Sequence, residues 1–123
     1  MASILRLHLQ YRLWIAAMNS DIDVLRICDD YFVMLEEKHL DTETKNQIKK
    51  WKEQFGDLRK DVDELRHEMH LVKMKLGALA KEQASTDEDI EELINHKSCK
   101  ERYKAYRKKF SKIKKEFKKF EPE

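Results

Sequence analysis

Ten apolar residues lie between positions 48 and 79 at spacings that alternate three and four: Ile48, Trp51, Phe55, Leu58, Val62, Leu65, Met69, Val72, Leu76 and Leu79. A helix turns once in about 3.6 residues, so this spacing lines all ten along one narrow stripe. A stripe of that length has to be covered by other helices. The pattern predicts a helix from about 43 to 83. The same spacing recurs on both sides of it. Ile4, Leu7, Tyr11, Trp14 and Met18, then Leu25, Cys28, Phe32 and Leu35, predict a helix over about 3–39. Cys99, Tyr103, Tyr106, Phe110, Ile113, Phe117 and Phe120 predict a third over about 87–120.

The irregularities matter as much as the pattern. The seam position between Met18 and Leu25 is Asp21, and Ser20 with Asp23 resembles a capping pair. One continuous helix with Asp21 at its edge is the preferred reading; a break near 19–21, giving a fourth helix, is the alternative. Residues 5–13 alternate, with Leu5, Leu7, Leu9, Tyr11 and Leu13 separated by other residues. Period two is a strand signature. An isolated strand has nothing here to pair with, so a helix is expected.

Leu40-Asp41-Thr42 reads as a turn, with Asp41, Thr42 or Thr44 as candidate caps. Residues 84–86 read as the second turn, with Ser85/Glu88 or Thr86/Asp89 as capping boxes and acids in the first helical turn. Residues 95–98 are a weak spot where the third helix would fray or kink. Leu71, Met74, Ala78 and Ala80 widen the apolar surface of helix two, so that end is expected to be covered on more than one side. Gly77 there would allow close helix contact. Three long helices joined by short turns must alternate in direction. The expected fold is all-α: one domain over 1–123, an antiparallel three-helix bundle with coiled-coil-like packing.

Composition agrees. The chain has two glycines and one proline, few for a protein built on turns and strands. Charged and apolar residues each make up 41%, which suits amphipathic helices around a thin core. The net charge of +2 conceals a gradient. Residues 1–42 carry four bases and seven acids, whereas 97–119 carry twelve bases and two acids. Cys28 and Cys99 both fall on apolar stripes, as buried thiols in a reducing compartment would; a disulfide between them is the alternative. Arg6, His8, Gln10 and Arg12 interrupt the apolar start, unlike a signal peptide, and no run reaches the ~18 apolar residues of a membrane span. A cytoplasmic location is expected.

Candidate chemistry is sparse. His67-Glu68-Met69-His70 lacks the four-residue histidine spacing of a zinc protease helix. Glu36/His39 and Glu64/His67 have the spacing of di-metal bundles. Their levels in the bundle differ by about 24 residues, or roughly 36 Å, so they cannot share a metal pair. His67, His70, His96 and Cys99 fall near one level across helices two and three and form a candidate metal cluster; boundary histidines are the ordinary alternative. Lys104, Lys108, Lys112, Lys115 and Lys119 make a basic stripe, widened by Arg107, Lys114 and Lys118. It is a candidate anion-binding face for nucleic acid or an anionic membrane through residues 97–119. The competing reading is a solvated face that complements the acids at 21–37 and the helix dipole. The heptad spacing of the aromatic residues places them in the core, not on a base-stacking surface. No phosphate-cradling loop or nucleophile triad pattern occurs, so no enzyme, cofactor or small-molecule substrate is expected.

Residues 7–15, Leu7-His8-Leu9-Gln10-Tyr11-Arg12-Leu13-Trp14-Ile15, resemble the start of a group of small helical proteins from Bacteroidetes bacteria, whose first helix opens with an apolar-His pair and a Trp-Ile or similar pair. Asp63-Glu64-Leu65-Arg66-His67-Glu68 is similar to an Asp-Glu-Leu-Lys-His segment of their second helix. Phe110 through Phe120 resembles their closing aromatic-basic helix. The acidic run at 87–92 and the high lysine content depart from that pattern. The resemblance spans nearly the whole chain and implies one helical domain, with no activity attached. Together these readings favour a non-enzymatic helical bundle acting through a protein partner or as a homo-oligomer. The runners-up are an electrostatic binder and a metal-binding bundle.

Overall fold

The computed structural model describes residues 3–82 and 87–121, with the side chains of 87–89 excluded. Four helices run in chain order: α1 (Ile4–Glu36), α2 (Thr42–Lys81), α3 (Asp87–Leu93) and α4 (His96–Phe117). No strand occurs among the described residues. The fold is all-α, a bundle of three long helices with one short helix between the second and third.

Directions follow from the cross-helix pairs. Asn19 meets Arg66 and Glu36 meets Lys52, so α1 and α2 are antiparallel. Glu68 meets Arg102, Asp61 meets Lys109 and Trp51 meets Phe120, so α2 and α4 are antiparallel. Tyr11 meets His96, Asp21 meets Tyr106 and Phe32 meets Phe117, so α1 and α4 run together.

The seam of α2 is the inner wall. Leu58, Val62, Met69 and Leu76 are fully buried, each contributing about 1.5–3 kcal/mol of burial free energy. Across it lie Leu7, Tyr11, Met18, Leu25, Phe32 and Leu35 of α1 and Tyr106 and Phe110 of α4. One end of the bundle closes on aromatic rings: Phe117 packs at 5.4, 5.3 and 4.9 Å from Phe32, Trp51 and Phe55. At the turn between α1 and α2, Asp41 caps α2 by accepting from the Thr44 amide at 2.7 Å. That bond favours the carboxylate and holds the Asp41 pKa below its usual value.

α1 is unbroken through residues 19–21. The fourth helix comes instead from a break in the predicted third one. Asn95 adopts the left-handed conformation at φ 54°, ψ 47° between α3 and α4. Asn tolerates that region better than most residues. The break has a packing reason. Ile90, Ile94 and Cys99 are all buried, yet Ile94 and Cys99 are five residues apart, a spacing that one continuous helix would turn to different sides. A single left-handed residue lets both face the core.

Two expectations for α2 need correction. Its C-terminal part is not covered on several sides: Leu71 and Met74 are 53% and 58% exposed. Gly77 does face α1, but a Cβ there would meet only His8 Nε2 at 3.8 Å, an ordinary contact. The capping boxes expected around 84–89 lie outside the described residues and side chains.

Candidate interaction surfaces and the polar contacts that set them

Asp21 sits on the inner seam of α1 and is 6% exposed. A carboxylate in that place needs partners, and α4 supplies two. The Tyr106 hydroxyl donates to Asp21 Oδ2 at 2.9 Å, and the Arg107 guanidinium pairs with the same oxygen. Burial, together with the Asp21 carboxylate, pushes the Tyr106 phenol pKa upward, so Tyr106 stays a donor. This node explains why α1 continues through a polar seam position. The sequence pattern exposed the anomaly but not its partners, because Tyr106 and Arg107 lie 85 and 86 residues away.

Towards the other end of α1, Trp14 is stacked between two rings. His96 lies at 6.0 Å with an interplanar angle of 11°, and Tyr103 at 4.8 Å with 21°. Tyr11 Oη is 2.9 Å from His96 Nδ1. Burial, then the adjacent Cys99 and Glu91, raises the Tyr11 pKa. Burial lowers that of His96. A protonated phenol can then donate to an unprotonated Nδ1.

These contacts take apart the candidate metal cluster. His96 faces Tyr11 and Trp14, and Cys99 is buried beside Tyr11. His67 and His70 instead line a groove with Ile15, Asn19 and Arg66, between α1 and α2. The expected level along the bundle holds, but the two pairs open to different sides of α2. Among the described residues no group of three His, Cys, Asp or Glu side chains is placed to hold a metal ion.

The basic helix divides in two. Arg102 and Lys109 reach across to Glu68 and Asp61 of α2. Arg107 turns to Asp21, and Lys114 lies 5.9 Å over the Phe110 ring. The bases of α4 therefore answer mainly acids of α2; Asp21 is the acid of α1 that they pair. Lys104, Lys108, Lys112, Lys115 and Lys119 remain as an exposed stripe, and none has an ion pair among the described residues.

The largest departure from expectation is on α1. Leu5, Leu9, Leu13, Ala16, Ile27, Tyr31 and Met34 follow one another at intervals of 4, 4, 3, 11, 4 and 3 residues. Eleven residues is close to three turns, so all seven fall on one stripe roughly 80° wide, opposite the core face. Leu5, Leu13, Ile27 and Met34 are 60–71% exposed, and Leu9 and Tyr31 are 44% and 37%. The alternation at 5–13 now has a cause. It is two helical stripes interleaved, Leu7 and Tyr11 inward and Leu5, Leu9 and Leu13 outward. A second apolar stripe on a long helix is unusual where one face already serves the core.

No helix among the described residues is long and apolar enough to cross a membrane. Comparison with family models, curated proteins and solved structures finds no match to this chain.

Asp21→Ala should destabilise the protein by about 1–3 kcal/mol, because it leaves a buried hydroxyl and a partly buried guanidinium without their acceptor. Tyr106→Phe should cost less. In a double-mutant cycle by chemical denaturation the two losses should not add.

His96 gives a pH dependence of defined sign. Its folded pKa is below the ordinary 6.5, so the folded state holds the neutral ring while the unfolded chain takes up a proton. Stability should fall as pH drops through and below about 6.5. In His96→Gln that component should be missing from the pH profile of the unfolding midpoint.

Proposed function

We propose that this chain is a non-enzymatic helical-bundle protein that works by protein–protein contact, and that its contact surface is the outer face of α1. The observation that carries this reading is the pair of exposed apolar patches, Leu5 to Ala16 and Ile27 to Met34, that share the outer face of a helix whose other face is already committed to the core. Exposed apolar surface repeated along one face of a rigid element is the usual mark of a docking site. The free thiols of Cys28 and Cys99 suit a cytoplasmic setting.

A second reading rests on a separate observation, the exposed lysine stripe of α4. Five cations on one helical face without partners among the described residues would attract a polyanion such as nucleic acid or an anionic bilayer.

A photo-reactive residue placed at Leu13 or Ile27 should give covalent protein adducts in cells, while the same residue at Lys60, exposed on α2, should give few. Adducts at neither α1 position would overturn the interaction reading. For the lysine stripe, an oligonucleotide or anionic vesicle should be retained at about 50 mM salt and released steeply as salt rises. Lack of retention at the lower salt would remove that reading.

A further inference from the structure

The occupant of the α1 outer face is not stated by exposure alone, but the charge pattern along that face selects one. From Ile4 to Asn19 the helix carries Arg6 and Arg12 and no acid. From Ser20 to Met34 the outer face and its flanks carry Asp23, Arg26 and Asp30, with Asp23 paired to Arg26; Asp21 is buried on the inner seam and Glu36 pairs with Lys52 of α2. The first half of the face is therefore net basic and the second net acidic, with Asp30 the acid that has no ion pair among the described residues. A partner that matches both halves carries acids opposite the first and bases opposite the second. An inverted copy of α1 has that order.

The apolar positions obey the same inversion. If residue 20 lies on a two-fold axis, each residue faces the position equally far on the other side. Leu5 then falls opposite the neighbourhood of Met34, Leu9 opposite Tyr31 and Leu13 opposite Ile27. On both arms of the face exposed apolar side chains meet exposed apolar side chains. At the centre stand Ala16 and Ser20, small residues that let the two helices approach, with the exposed Asp23–Arg26 ion pair beside them. In an antiparallel helix pair the same flank of each helix meets across the seam. Arg12 and Asp30 differ by eighteen positions, five whole turns, and so share one flank of the stripe. Each would face the other across the axis, twice per pair. Both are exposed, and neither has an ion pair among the described residues.

We infer that the chain pairs with a second copy of itself, α1 against α1, antiparallel about a two-fold axis near Ser20. This rests on the proposal that the α1 outer face is a contact surface and names its partner. The 33 residues of α1 span about 50 Å. A helix contact of that length and about 10 Å width covers on the order of 500 Å² per copy, at the lower end for specific interfaces, so the pair should dissociate on dilution.

Sedimentation equilibrium of the full chain from about 1 to about 200 μM should show the mass rising from the 14.9 kDa monomer towards twice that value. Arg12→Glu should shift the transition to at least several-fold higher concentration, and adding Asp30→Arg to the same chain should restore it. Both positions are exposed, so folding is not at issue. Register is read separately. Under mild oxidation Ser20→Cys should form a disulfide-linked dimer, whereas Leu5→Cys, far from the axis, should not link to itself; the parent chain, with its two native thiols, is the control. A monomer at every concentration, or a dimer indifferent to both charge variants and without the Ser20→Cys link, would overturn the inference. If the chain stays monomeric while photo-adducts at Leu13 and Ile27 contain a different protein, self-pairing fails and the interaction reading stands. If those adducts are absent as well, both fail.

Discussion

The buried carboxylate of Asp21 governs how the rest of the molecule is laid out. A polar residue on a heptad seam normally interrupts the helix or forces it to turn away from the core. Here Tyr106 and Arg107 satisfy it from α4, and α1 passes through without a break. Two consequences follow. The contact ties α1 to α4 at the level of Tyr106 and Arg107. Continuity also keeps the leucines before residue 14 and the apolar residues after 26 on a common outer face. A kink at 19–21 would divide that face into two short and unrelated patches. A buried polar contact can in this way specify geometry beyond any stability it adds.

The other constraint is the α2 seam, which requires cover along its whole length. α1 provides most of it and α4 the remainder. The aromatic cluster of Phe32, Trp51, Phe55, Phe117 and Phe120 closes one end, and the stacked His96, Trp14 and Tyr103 pack α1 against α4 in the other half. Asn95 reconciles the short α3 with the long α4. It lets Ile90 and Ile94 point inward before the chain resumes a helix that presents Cys99, Tyr106 and Phe110. The arrangement uses few turns and places nearly all its chemistry on helix faces.

Much of this was legible in the residue pattern. The three seams are buried or half-buried as their spacing required, because periodicity reports directly which side of a helix needs cover. The level of each residue along the bundle was legible too, since helix lengths and turns set it. What the pattern did not reveal was direction around the helix axis for residues off the seam. His67 and His70 stand at the right level to meet His96 and Cys99, yet they open between α1 and α2 while His96 turns to Tyr11. Rotation also explains the widened apolar end of α2, where Leu71 and Met74 point outward. The outer stripe of α1 was visible as an alternation at 5–13, but one helix bearing two apolar faces resembles a strand when residues are considered singly. The break at Asn95 was marked only as a weak spot, because the five-residue step from Ile94 to Cys99 gains meaning once both are known to be buried.

The central claim is that α1 is one rigid rod with two apolar faces in fixed register, held through its polar centre by α4. Amide hydrogen exchange across Met18 to Leu25, followed residue by residue by NMR, tests this most directly. The account predicts slow, continuous protection through Asn19, Ser20 and Asp21, comparable with the turns on either side. Fast exchange confined to those residues would mean that the helix opens at Asp21, and neither the α4 register nor the outer face would then be held as described.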